Sequence, residues 1–333
     1  MRYLLPFLAL AACTTATPAE PPSSPLLLVG NKGEDTVSFI DLASGEELAR
    51  VPTSHTAPHE IAIDPTGTRA AVVNYGDNDI DIFDIASRRI EETVDLGENT
   101  RPHGIVWLPD SRILATTEGG RGMVELQPDG IIGSGGYAEE FWIVRAIPTD
   151  ADGTHMLATD NAGTVAYTAN LGDRTVSRID LDKGIVTHTA TAGLQPEGIA
   201  LTPNGTELWV SARGSNEVYV LDARDLSELA VIPVGRFPLR LLISPDGRHA
   251  VTSNLLDGSV TVIDTSTREV TRTIEVAGDA ASQQVTLLFS EDGSRLYVAE
   301  TGTDTVAEID FASGELLRRL NAGDQGDGLA IVE

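Results

Sequence analysis

Short apolar runs alternate with turns rich in Gly, Asp and Pro along nearly the whole chain. Pro196-Glu197-Gly198-Ile199-Ala200-Leu201 leads through Thr202-Pro203-Asn204-Gly205 into Glu207-Leu208-Trp209-Val210-Ser211. Pro58 to Asn74 and Pro238 to Asn254 repeat that order. A third run follows each time, as in Val37-Ser38-Phe39-Ile40-Asp41, Val218-Tyr219-Val220-Leu221-Asp222 and Val260-Thr261-Val262-Ile263-Asp264. A fourth comes after a short turn, such as Glu269 to Ile274. Alternating β-branched residues between Gly and Asp turns predict strands, not helices.

The strands recur as a unit. The end of the second strand is marked by Asn31, Asn74, Glu118, Asn170, Arg213, Asn254 and Glu300. The markers lie about 41 to 46 residues apart, with one gap of about 52, a period that means propeller blades of four strands. Seven markers predict an all-β, seven-bladed β-propeller. The first blade starts at Leu26 with a second-type strand, while Asp327 to Val332 matches a first strand with nothing after it. The C-terminal strand is therefore expected to complete the first blade and remove an exposed edge. The recurrent Asp41, Asp84, Asp180, Asp222, Asp264 and Asp310 each precede a turn and are read as turn caps.

Composition adds a location. Of 333 residues, 50 are acidic and 23 basic, a formal charge of −27. Such a field repels phosphate backbones and argues against nucleic-acid binding, while it attracts cations and favours solubility. Arg2 and the apolar stretch Leu4 to Leu10 read as an export leader, too short to span a bilayer as a mature helix. Leu10-Ala11-Ala12-Cys13 resembles a bacterial lipobox, and Cys13 is the only cysteine, so no disulfide forms within the chain. Residues 1–25 are expected to be signal peptide and flexible tether, lipidated at Cys13, and residues 26–333 the propeller. That places the protein on the periplasmic side of a bacterial membrane, as an outer-membrane lipoprotein or free in the periplasm.

The repeats resemble the YVTN-type β-propeller family of bacterial envelope proteins over about residues 26–333. Members include structural, binding and enzymatic proteins, lactonase-like ones among them, so the resemblance implies fold rather than activity. It also implies that inner strands start, and second strands end, at the top face. The residues aligned at the inner-strand start are His59, His103, His155, Glu197, Leu239, Val285 and Asp327, followed by Glu60, Gly104, Met156, Gly198, Arg240, Thr286 and Gly328. Three of the six histidines share one position.

Three expectations follow. His59, His103, His155 and Glu197 bind a metal ion, for which they suit Zn or Cu as ligands, or a small ligand in the top-face channel. Alternatively, His103, His155 and Glu197 serve as an acid–base set on an anionic substrate, in a lactonase- or lyase-like enzyme, with Glu60, Glu118, Arg213, Arg240 and Glu300 contributing to ligand binding. Third, the protein is an interaction scaffold for a protein partner. In the plainest reading the histidines line a wet channel and Arg213 and Arg240 pair with Glu197, Glu300 or another rim carboxylate. A Gly-rich insertion at 130–140 is expected on the lower face as a partner loop. Asp150-Ala151-Asp152-Gly153 opens like a calcium loop but lacks the later ligands.

Overall fold

The computed structural model describes residues 24–129 and 140–333. The leader, Cys13, most of the tether and the insertion through residue 139 lie outside the described residues. Twenty-eight strands form seven antiparallel four-stranded sheets arranged as blades, with no helix among the described residues. Six blades are continuous in sequence, such as the second, Pro58–Ile63, Arg69–Asn74, Asp79–Asp84 and Arg89–Asp95. The first is composite: Gly326–Val332 pairs antiparallel with Leu26–Asn31, with Val29 opposite Leu329, and Thr36–Asp41 and Glu47–Pro52 complete it. The closure expected from the two ends of the repeat is therefore the closure observed.

The strand period of two explains how the ring holds together. Successive side chains point to opposite faces of a blade, and both faces are covered by neighbouring blades. Leu26 and Leu28 pack with Ile61, Val72 and Phe83 of the second blade. Leu27 and Val29, one residue out of phase, pack with Tyr297, Ala299 and Val306 of the seventh. Seven such clusters, each spanning two adjacent blades, make up the core. The outermost strands, such as Glu47–Pro52, read exposed and half-buried in turn, as a solvated edge should.

Polar side chains fix the turns. The carboxylates of Asp41, Asp84, Asp180, Asp222, Asp264 and Asp310 accept backbone N–H bonds from Ser44, Ser87, Lys183, Arg224, Ser266 and Ser313. Asn31, Asn74, Asn170 and Asn254, fully buried at the ends of second strands, each donate through Nδ2 to two side chains of the third strand. These are stitches within a blade, and they keep the asparagines out of the axial cavity.

Candidate functional site at the top of the axis

Three rings of equivalent positions surround a cavity of about 430 Å³ at the top face. The mouth ring is the residue just before each inner strand: Ala57, Arg101, Gly153, Gln195, Phe237, Gln283 and Gln325, all at positive φ between 48° and 66°. Six of the seven are not glycine, which costs on the order of 1 kcal/mol each. Side chains from the turn between the second and third strands of the preceding blade hold this backbone at three places: Asp35 accepts from the Ala57 amide, Asn216 from that of Phe237 and Asp304 from that of Gln325. The reversal aims Arg101, Phe237 and Gln283 at the cavity wall.

The middle ring corrects the expected alignment. Glu118 and Arg213 do not replace the stitching asparagines; Thr117 and Ala212 stand in those places, where the strands Ile113–Thr117 and Glu207–Ala212 end. Glu118 and Arg213 occupy the next position, together with Lys32, Tyr75, Leu171, Leu255 and Thr301, and line the cavity. Glu300 does hold an asparagine position. It is fully buried and pairs with Arg319 (Nε–Oε2 2.7 Å) and Thr305 within its blade. It does not line the cavity, so its expected part in ligand binding has no geometric basis.

The deep ring is the second residue of each inner strand, and it contains the expected His59, His103, His155 and Glu197 together with Asp327, Leu239 and Val285. Below it the strands are so close that only small residues fit in places: a Cβ on Gly328 would stand 1.8 Å from the His59 carbonyl oxygen, and one on Gly198 2.4 Å from the Leu241 amide. Glu60 and Arg240 sit at this level and close the floor, meeting across the axis with Arg240 Nη2 2.6 Å from Glu60 Oε1.

From that floor a chain of alternating charge climbs to the mouth. Arg240 Nη1 donates to Glu197 Oε1 at 2.7 Å, which also receives His155 Nε2 at 2.7 Å. His155 Nδ1 bonds Glu118. Glu118 in turn accepts from Tyr75 (2.8 Å) and pairs with Arg101 (3.1 Å), whose guanidinium also bonds the Tyr75 hydroxyl. Arg213 Nη1 lies 2.8 Å from Glu197 Oε2. On the other side Lys32 donates to Asp327 at 2.6 Å, with His59 Nε2 3.6 Å away.

This network separates the histidines. Burial opposes a charge on His155, but Glu197 and Glu118 outweigh it and raise its pKa to about 9. Glu197 is likewise buried, yet His155, Arg240 and Arg213 bring it down to about 2. His103 is driven the other way, well below 6.5, by burial first and then by its cationic neighbour His155, whose ring lies tilted by 34° against it with centroids 3.7 Å apart. His59 is also lowered, chiefly by burial, and meets His103 edge-on at 4.8 Å. A neutral imidazole thus lies against an imidazolium.

That arrangement does not assemble the expected zinc or copper sphere. Both nitrogens of His155 are bonded to carboxylates, which leaves it no lone pair for a metal. Among the described residues no three His, Cys, Asp or Glu side chains are placed to hold a metal ion together. Tyr75, Lys32, Arg101 and Phe237 belong to the site and were not expected there. Reading one position past each stitching asparagine finds the first two, while the other two are revealed only by the left-handed backbone before each inner strand.

Comparison with known proteins agrees with the architecture. The chain is 31% identical over 260 residues to hydrazine synthase subunit beta of Kuenenia stuttgartiensis, covering 70% of this chain and 60% of that protein. It is 33% identical over 99 residues, 29% of this chain and 21% of the relative, to antigen Lp49 of Leptospira interrogans serogroup Icterohaemorrhagiae serovar copenhageni. The chain thus spans less than two thirds of both relatives. Two solved structures share the fold. A functionally unknown protein from Desulfotomaculum acetoxidans superposes with a TM-score of 0.74 at 13% identity, over 92% of this chain and 99% of that one. Dihydro-heme d1 dehydrogenase NirN, in complex with DHE, superposes with a TM-score of 0.64 at 14% identity, over 93% and 77%. The pattern of the YNCE-like beta-propeller family matches residues 4–333, and the chain belongs to that family.

Proposed function

We propose that the top-face cavity binds a small anionic ligand. One observation carries this: five cationic groups, Lys32, Arg101, His155, Arg213 and Arg240, converge there on four carboxylates, Glu60, Glu118, Glu197 and Asp327. One positive charge is left over, inside a chain whose net charge is −27. A guanidinium with donors to spare in a partly desolvated site is the usual recognition element for carboxylate or phosphate. Arg101 is more than half exposed at the mouth, and the Nε of Arg213 has no hydrogen-bond partner. The same excess disfavours a cation, so zinc or copper at His59 and His103 is the weaker form of the reading.

The test is calorimetric titration of acetate and inorganic phosphate into the full chain, beside Arg101→Ala and Arg213→Ala. Binding that weakens at least tenfold in either variant, and falls with rising salt, is the expected result. Equal affinity in all three proteins, or none, sinks the proposal.

A catalytic reading keeps one specific observation. His103 and His155 have been driven apart in pKa, the condition for dividing base and acid roles. In that reading neutral His103 takes a proton from water attacking an ester or lactone, while Arg101 and Arg213 hold the substrate's anion. A hydrolysis rate unaffected by His103→Gln removes it. As to location, we propose export and lipid anchoring at Cys13; Cys13→Ser then releases the protein from the membrane fraction.

A further inference from the structure

We infer that the ligand is amphipathic: an anionic head with an apolar body. The inference rests on the anion-binding reading and adds a second half to the site. Around the deep ring, five blades present His59, His103, His155, Glu197 and Asp327, but the sixth and seventh present Leu239 and Val285. In the sixth blade the middle ring repeats the change at Leu255 and the mouth ring at Phe237, while the seventh carries Thr301 and Gln283 at those levels and Leu171 is a lone apolar residue of the fourth.

Leu239, Val285, Leu255 and Phe237 are not core residues displaced by accident. None belongs to any of the seven clusters that join neighbouring blades. Leu239 and Val285 are nonetheless only 7% and 5% exposed. They show the cavity only a small apolar edge at its deep wall, and the larger apolar faces of this sector are those of the half-buried Phe237 and Leu255 above them. A channel built only to hold water gains nothing from such a sector; a ligand with a hydrocarbon body does.

The sector also lies opposite the exposed guanidinium of Arg101, while Arg240 of the sixth blade is taken up at the floor by Glu60 and Glu197. Blades six and seven face blades two and three across the ring, where Arg101, Tyr75 and neutral His103 stand. Arg213 covers Phe237, its guanidinium 5.2 Å from the ring centroid, and marks the boundary between the two halves. A head group held at Arg101 therefore directs its body toward Leu239 and Val285.

The experiment is a chain-length series, acetate, butyrate and hexanoate, titrated into the full chain at fixed ionic strength, with inorganic phosphate beside it. Each methylene that becomes fully buried strengthens binding by about fourfold, so a gain of at least tenfold from acetate to hexanoate is expected. Leu255→Asn, at a partly exposed position that the fold tolerates, should cut the hexanoate-to-acetate ratio at least threefold; its melting temperature checks that the ring is intact. A measurable but flat series overturns the amphipathic ligand and leaves the anion site standing. Absence of binding by all four probes overturns both.

Discussion

Arg240 and Glu60 tie together blades that are not neighbours, with both Nε and Nη2 of the arginine on one carboxylate oxygen at 3.2 and 2.6 Å. Arg240 is buried, and its remaining Nη1 goes to Glu197. Arg240→Met would therefore strand the Glu60 carboxylate at the bottom of the cavity, while Glu197 keeps His155 and Arg213. Removing one partner of a buried ion pair costs about 3–5 kcal/mol, and that loss is expected in urea denaturation. Glu60→Gln, which keeps an acceptor for the guanidinium, should lose clearly less. Equal losses would mean that the pair merely fills space.

Stability should peak near pH 6.5. His155, at about 9 in the folded chain against 6.5 ordinarily, contributes stability that is complete below 6.5 and disappears as the pH rises through 9. His103, held below its ordinary value, acts oppositely: unfolding takes up a proton there once the pH falls below 6.5. Glu197, at about 2 against 4.5, adds a further loss below pH 4.5. Melting temperatures from pH 4 to 9.5 read the curve, and His155→Gln should flatten its alkaline limb. A wild-type curve without an alkaline limb contradicts a cationic His155.

Glu300 and Arg213 separate stitching from binding. Glu300→Gln breaks charge pairing with Arg319 inside the seventh blade and should lower the melting point without changing the affinity for phosphate. Arg213→Ala should do the reverse, losing at least tenfold in affinity at small cost to the fold. Titration and melting of both variants check the placement of each residue.

Gly328 is required by space and Gly205 by backbone angle alone. An alanine methyl at 328 meets the His59 carbonyl, a backbone atom that cannot move aside, so Gly328→Ala should prevent ring closure or destabilise it severely. Gly205, at φ 69°, has nothing within 4 Å of a new Cβ, and Gly205→Ala should cost only about 1 kcal/mol of local strain. Refolding yield and urea midpoints distinguish the two.

The repeat made the ring legible in the sequence because each blade is specified locally, by strand alternation and turn chemistry. The deep ring was legible for the same reason: His59, His103, His155 and Glu197 stand at one fixed distance from a turn. What failed was register by one residue, where Glu118 and Arg213 stood next to Thr117 and Ala212 rather than at an asparagine position. Glu300 then looked like their equivalent although it points into its blade. The mouth ring could not be read at all, because its left-handed backbone is shared by residues as unlike as Arg101, Phe237 and Gln283. Nor does local pattern announce that Glu60 meets Arg240, 180 residues away.

The closing strand has a kinetic consequence. Val29 is opposite Leu329, a separation of about three hundred positions, whereas most other strand pairs are joined by a few residues. Six sheets can form from local hairpins, each at modest loop-closure entropy, but sealing the ring requires one very long loop to close. Until it does, Leu27 and Val29 lack the side chains of the seventh blade, and the cavity lacks Asp327. The axial cavity is thus completed by the contact that closes the longest loop, and recovery of the proposed anion binding on refolding should lag behind recovery of strand content.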